Sequence, residues 1–230
     1  PAEETPALGT AIRWLKRELA GRIPVIGFSG APWTLGAYMI EGEGSKNYTL
    51  IKSMMYQAPE VFHTLMSHLT AVLVDYLCYQ VEAGAEAVQV FDTWVGCLSQ
   101  EDYTHYALPY TQQVISETQR RAKVPVIYYV NNGFHLLDQM LQTSANALSV
   151  DWRVELGIIK SRTGEQVALQ GNFDPCKLYD SPENIAQAVQ NILKSYGAKT
   201  GHIFNLGHGL LPDTPVDHVK ILVESVRKYG

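Results

Sequence analysis

Tyr38, Thr93 and His208 carry side chains that could do work on a polar ligand. His208 lies in Asn205-Leu-Gly-His-Gly209, directly after an apolar run, and the flanking glycines leave its imidazole room to reach a ligand. An imidazole there can hold an anion by a charge-assisted hydrogen bond, or move a proton near neutral pH. Most loop histidines do neither and are surface residues or turn hydrogen bonders. Tyr38 offers a phenol that donates to a carboxylate, although in a chain with 13 tyrosines packing is the default role for any one of them. Thr93 follows Phe91-Asp92 at the end of a second apolar run. The neighbouring Asp92 is turned to the other face by strand alternation and suits structural hydrogen bonding. Asn172 and Asp174, in Gly171-Asn-Phe-Asp-Pro175, are typical turn formers and suit loop ordering over ligand contact. Asp151-Trp152 is a further polar strand end whose duty the residues alone leave open. A zinc site does not assemble from the sequence: His135 has no cysteine two residues on, and Cys97 and Cys176 lack histidine partners.

These groups need a scaffold, and the apolar runs supply it. Val25–Ser29, Ala87–Asp92, Val124–Val130, Ala147–Trp152, Val167–Gly171 and His202–Leu206 read as buried parallel strands. Ser29, Gly30 and Pro32 force a tight turn after the first, and Leu35 to Ile40 opens a helix that carries Tyr38. Apolar residues from Val61 to Leu77 recur at helical spacing, predicting one long amphipathic helix that ends at Gly84. Ser99 with Asp102 forms a capping-box start, and Pro109 breaks the helix that follows. Ser181-Pro182 and Thr214-Pro215 mark two more helix starts. Strands alternating with helices predict an α/β fold with a parallel sheet.

Nearly every strand ends in a polar group: Ser29, Asp92-Thr93, Asn131-Asn132, Asp151, Asn172 and Asn205. A TIM-type (β/α)8 barrel rings such ends around one mouth, whereas an open doubly wound sheet concentrates them at a switch point. The barrel is therefore the predicted fold, as one domain over residues 1–230. Such a barrel has eight strands and about 250 residues. The expectation is that the six strands are the third to the eighth, with the first two β/α units missing before Pro1.

Composition bounds the function. The chain has 230 residues, 46% hydrophobic and 18% charged, with a formal net charge of −5. No basic stripe exists to neutralise nucleic-acid phosphates. The apolar stretch Ala71–Val81 is broken by Asp75 and is shorter than a membrane span, so neither nucleic acid nor membrane is an expected partner. Three widely spaced cysteines without a CxxC pair suit a reducing compartment.

The string Gly27 to Gly42, GFSGAPWTLGAYMIEG, resembles the signature of the uroporphyrinogen decarboxylase family: Gly-Phe, a small pair, Pro32, an aromatic at 33, Thr34, Tyr38 and Glu41-Gly42. The resemblance runs from about Ile23 to the C-terminus and takes in Phe91-Asp-Thr-Trp94, Gly171-Asn-Phe-Asp-Pro175 and Asn205-Leu-Gly-His-Gly209. It implies the same barrel and a carboxy-lyase that removes CO2 from the four acetate side chains of uroporphyrinogen, giving coproporphyrinogen on the way to haem and chlorophyll. It implies Tyr38, Thr93 and His208 as substrate-binding residues, no metal and no organic cofactor, and a homodimer in the cytoplasm or plastid stroma. The family's catalytic arginines and ring-NH aspartate lie on loops after the first two strands. They are expected upstream of Pro1, so that this chain lacks part of the active site. The alternatives are a catalytically incomplete homologue acting as a binding or scaffold protein, and a related barrel methyltransferase.

Overall fold

Parallel strands followed by helices recur along the whole chain, and the computed structural model describes them over residues 1–42, 44–197 and 200–230. The chain divides into two compact units. The first comprises Pro1–Val130 with His135–Asn146, the second Asn131–Phe134 with Ala147–Gly230.

The first unit runs α1 (Pro6–Leu19), β1 (Ile26–Gly30), α2 (Pro32–Glu41), α3 (Thr49–Gln57), α4 (Pro59–Glu82), β2 (Ala87–Asp92), α5 (Gln100–Asp102), α6 (Leu108–Ala122), β3 (Val126–Val130) and α7 (Leu137–Gln142). Its strands are parallel in the order β1-β2-β3, with Phe28 opposite Gln89 and Val90 opposite Tyr128. The side of β1 away from β2 is occupied at Phe28 by Gln80 of α4, whose amide accepts from the Phe28 N–H at 2.9 Å and donates to its carbonyl at 2.9 Å. A Cβ at Gly27 would fall 2.8 Å from the Gln80 Oε1, so the absence of a side chain at 27 admits this clamp.

α4 is long and apolar enough to cross a membrane by length and composition. Within the unit it packs on α2, α6 and β1, burying Phe62, Met66, Leu73, Val74 and Leu77. Asp75 of the same helix is exposed and pairs with Arg121 of α6 at 2.7 Å. Helix α5 starts at Ser99, whose side chain accepts from the Asp102 N–H, the predicted cap. The predicted break at Pro109 takes the form of a π-helical turn over Tyr103–Ala107 before α6 begins. A proline two residues into α6 has no N–H for the α-helical ladder, which accounts for the interruption.

The tail of the Gly27–Gly42 string is structural. Gly42 closes α2 at φ +79°, a left-handed conformation that glycine adopts without strain. Glu41 accepts from the first-turn N–H groups of Leu50 and Ile51 at 2.8 and 3.1 Å, serving α3 as a cap from outside the helix. Glu41→Ala is expected to lower stability by about 1 kcal/mol. Unfolding in urea measures it, and an unchanged midpoint would remove the cap's importance.

The second unit runs β4 (Ala147–Val150), α8 (Leu156–Thr163), β5 (Ala168–Phe173), a 3-10 turn (Pro175–Tyr179), α9 (Pro182–Tyr196), β6 (His202–Leu206) and α10 (Val216–Tyr229). Its strands are parallel in the order β4-β5-β6. Phe173, Leu178, Ile185, Val189 and Leu222 form its core, with Phe204, Leu206 and Val219 packed against it. Ser181 caps α9 by accepting from the Asn184 N–H, as its position before Pro182 predicts. The predicted start at Thr214-Pro215 is displaced by one position. Helix α10 starts at Val216 with Pro215 as N-cap, and the buried Thr214 hydroxyl caps nothing.

Candidate functional site

In the first unit the local fold brings Tyr38 to the turn that carries Thr93. Pro32 opens α2 directly after β1, and Tyr38 sits one and a half turns further on. Its ring, 43% exposed, meets the Trp94 indole edge-to-face, with centroids 6.0 Å apart. The buried Tyr48 ring also packs on that indole, with centroids 5.6 Å apart. Thr93, half-buried, is the first residue of the turn after β2, one position beyond Asp92.

Behind this corner lies a buried polar chain. Asp92 is fully buried. One carboxylate oxygen accepts from the Thr34 hydroxyl at 2.8 Å and the other from the Tyr128 hydroxyl at 2.9 Å. Tyr128 is in turn 3.0 Å from the Tyr103 hydroxyl, and Thr34 Oγ1 accepts from the Trp94 N–H at 3.3 Å. Loss of hydration pushes the Asp92 carboxyl up to about 7, against the opposing pull of the hydrogen bonds from Thr34 and Tyr128. Burial likewise holds the Tyr103 and Tyr128 phenols well above the usual range. The inward-facing aspartate matches the alternation reading, in which it serves structure and not the ligand.

The same three strands carry Phe28, Phe91 and Tyr129 in an edge-to-face row, with centroids 5.8 and 5.7 Å apart, running from the exposed Phe28 to the buried Tyr129. Lys52 donates to the Cys97 carbonyl at 2.8 Å, close to the Trp94 turn. Neither Trp94 nor Lys52 was singled out from the sequence. Trp94 was visible as the end of Phe91-Asp-Thr-Trp94, whereas nothing in the local pattern around Lys52 distinguishes it from a surface lysine.

In the second unit, His208 is exposed on the bend after β6. Gly207, immediately before it, donates its N–H to the Phe173 carbonyl at 2.7 Å. A Cβ at 207 would come within 2.7 Å of the Trp152 backbone nitrogen, so this bend sits flush on the loop after β4. That loop is organised by Asp151, which accepts from the backbone N–H groups of Asn132 and Arg153 and pairs with the Arg153 guanidinium at 3.1 Å. The Arg153 guanidinium also stacks 4.5 Å from the Trp152 ring centroid. Asn172 donates to the carbonyls of Asp151 and Val154 at 2.9 and 2.7 Å, and Asp174 accepts from the Cys176 N–H at 2.9 Å. Both therefore order loops. Thus Tyr38 and Thr93 share one corner of the first unit, and His208 stands on the second.

His135 is held by the Leu98 carbonyl at 2.9 Å. Among the described residues, no group of three histidine, cysteine, aspartate or glutamate side chains is placed to hold a metal ion.

Comparison with known proteins gives these observations a family. The solved methyltransferase from Methanosarcina mazei superposes with a TM-score of 0.85 at 18% identity, over 97% of this chain and 64% of that one. A B12-independent methionine synthase from Shewanella sp. superposes at 0.66 with 12% identity, over 96% and 67%. At such identities the likeness is one of fold, and it establishes an α/β fold of parallel strands shared with these enzymes. Sequence is more specific. Proteins named uroporphyrinogen decarboxylase from Idiomarina loihiensis and Chloroflexus aggregans are each 46% identical, over 96% and 100% of this chain. A third, from Coxiella burnetii, is 44% identical over 96% of it. The chain spans 62%, 65% and 62% of the length of these three relatives, a little under two thirds. A family model described as "Uroporphyrinogen decarboxylase (URO-D)" matches residues 1–229, and the chain belongs to that family.

Proposed function

We propose that the full-length protein removes CO2 from the four acetate side chains of uroporphyrinogen to give coproporphyrinogen, and that Tyr38, Thr93 and His208 hold the substrate. The observation that carries the reading is the family match over residues 1–229, together with relatives of 44–46% identity that bear this name. In the same reading β1 to β6 stand for the third to the eighth strand of an eight-stranded barrel. The relatives' greater length leaves room for two further β/α units.

The chemistry needs little beyond proton transfer and charge placement. Protonating a pyrrole carbon turns the ring into an electron sink, and the acetate carboxylate departs as CO2. The resulting exocyclic methylene takes up a proton to become a methyl group as the ring loses its own. Each acetate thus consumes one proton net and releases one CO2. Such a reaction calls for a cation near the departing carboxylate and a carboxylate facing the pyrrole N–H groups. We assign these to strands outside the present stretch, in keeping with its net charge of −5.

The Tyr38 phenol and Thr93 hydroxyl donate to substrate carboxylates, and the His208 imidazole adds a charge-assisted bond when protonated. The relatives named above are bacterial, which favours the cytoplasm over a plastid. The homodimer remains part of the proposal, carried by the resemblance alone.

Single variants of the full-length enzyme test the assignment. Tyr38→Phe, Thr93→Val and His208→Asn each remove one hydrogen bond and are expected to raise KM or lower kcat/KM about tenfold or more, with the fold intact. Three folded variants with wild-type kinetics would overturn the site.

A further inference from the structure

We propose that Asp92 is a positioning residue: through Thr34 its buried carboxylate ties the first turn of α2 to the end of β2, and so sets Tyr38 and the Thr93-Trp94 turn for substrate. This rests on the decarboxylase reading above.

The geometry is closed around one side chain. Asp92 accepts from Thr34 of α2 and Tyr128 of β3 at 2.8 and 2.9 Å, which joins three elements at one point. Thr34 then accepts from the Trp94 N–H at 3.3 Å, fixing the backbone immediately after Thr93. Thr34 and Tyr38 are four residues apart in one helix, so the two move as a body. Trp94 closes the loop by lying against the Tyr38 ring at 6.0 Å. A displacement at Thr34 is therefore passed to Tyr38 along the helix and to Thr93 along the turn.

A carboxyl with no exposed surface is an expensive way to fill a core. A well-packed hydrophobe of similar volume is often neutral or stabilising in such a place. Its neighbours on the same face of β2, Val88 and Val90, are such hydrophobes and are also fully buried. The polar exception occupies the last position of the strand, the one nearest Thr93. Burial raises its carboxyl to about 7, which records the same cost. What the carboxyl supplies, and a hydrophobe does not, is a directed hold on α2 and on the turn.

The test is made on the full-length protein with Thr34→Val, which keeps the shape of the side chain and removes both hydrogen bonds. Thr34→Ser, which restores them, is the rescue. Two readouts are taken: steady-state decarboxylation of uroporphyrinogen, and hydrogen exchange at the Trp94 amide. Thr34→Val is expected to lower kcat/KM about tenfold, mostly through KM, and to speed Trp94 exchange by a similar factor. Thr34→Ser is expected to return both to within about threefold of wild type. A folded Thr34→Val protein with wild-type KM and a protected Trp94 amide overturns the proposal. So does an equal loss in Thr34→Ser, because that would follow from packing alone. Should Thr34→Val fail to fold, Thr34→Ala removes the same two hydrogen bonds without the β-branched bulk, with the same direction expected and the same overturning result. A wild-type protein that does not decarboxylate defeats the functional reading instead, and the exchange measurement still decides whether Thr34 holds the turn.

Discussion

Gly207→Val is expected to unseat the bend that carries His208 and to lower stability by about 3 kcal/mol. The new Cβ would stand 2.7 Å from the Trp152 nitrogen, 2.9 Å from Trp152 Cε3 and 3.0 Å from the Asp151 Cα. Two of these three are backbone atoms, and Asp151 is itself pinned by hydrogen bonds from Asn132 and Arg153, so the loop has little freedom to withdraw. The remaining way out is for residue 207 to move, which sacrifices its 2.7 Å bond to the Phe173 carbonyl and shifts His208 with it. The melting temperature should fall by roughly 5–10 °C, and in the full-length protein the proposed decarboxylation should fall further than stability alone explains. Gly209→Ala is the matched control, because a Cβ there meets nothing within 4 Å. Equal melting of the two variants would contradict the account of this loop.

The second large effect is a pH dependence of stability set by Asp92. Its carboxyl titrates near 7 in the folded protein against an ordinary value of 3.8. Between those values the folded state holds a proton that the unfolded state has released. Stability contributed by this group is therefore complete below about pH 4 and is lost as pH rises toward 7, on the order of 4 kcal/mol over the window. His202 acts in the opposite sense: burial lowers its imidazole below 6.5, so its contribution is lost as the solution is acidified through that value. Subtracting the Asp92→Asn stability curve from the wild-type curve cancels His202 and isolates Asp92. The difference should slope downward from pH 4 to 7, with Asp92→Asn the relatively more stable protein at the alkaline end. Parallel curves would mean that the carboxyl is hydrated or ionised in the folded state, and the buried chain from Thr34 to Tyr103 would need to be redrawn.

The strands were legible where chemistry and punctuation agreed. Ala87–Asp92 and His202–Leu206 have their predicted bounds, being apolar runs closed by a turn. Others differ for local reasons. Pro125 cannot donate to a ladder, so β3 starts at Val126 and not at Val124. Asp151 leaves the predicted strand because its carboxylate is engaged by Asn132 and Arg153, ending β4 at Val150. Conversely, Asn172 and Phe173 pair with Asn205 and Leu206 and extend β5 past its predicted end, although Asn reads as a loop former.

The corner around Tyr38 was legible only in part. Tyr38 and Thr93 stand out from their motifs, yet their connection runs through Thr34 and Asp92, separated by 58 residues. Local pattern carries no trace of a contact at that distance. Glu41 shows the same limit on a shorter scale. It is conspicuous as the end of the Gly27–Gly42 string, but its partners are the N–H groups at the start of a helix that the sequence reading did not separate.

The central claim is that the full-length protein containing this stretch is a porphyrinogen decarboxylase. The most direct test incubates it anaerobically with uroporphyrinogen in the presence of a chelator and follows the products by mass. The account predicts stepwise loss of four CO2 and accumulation of coproporphyrinogen. A well-folded full-length protein that returns uroporphyrinogen with all its acetates in place would contradict it.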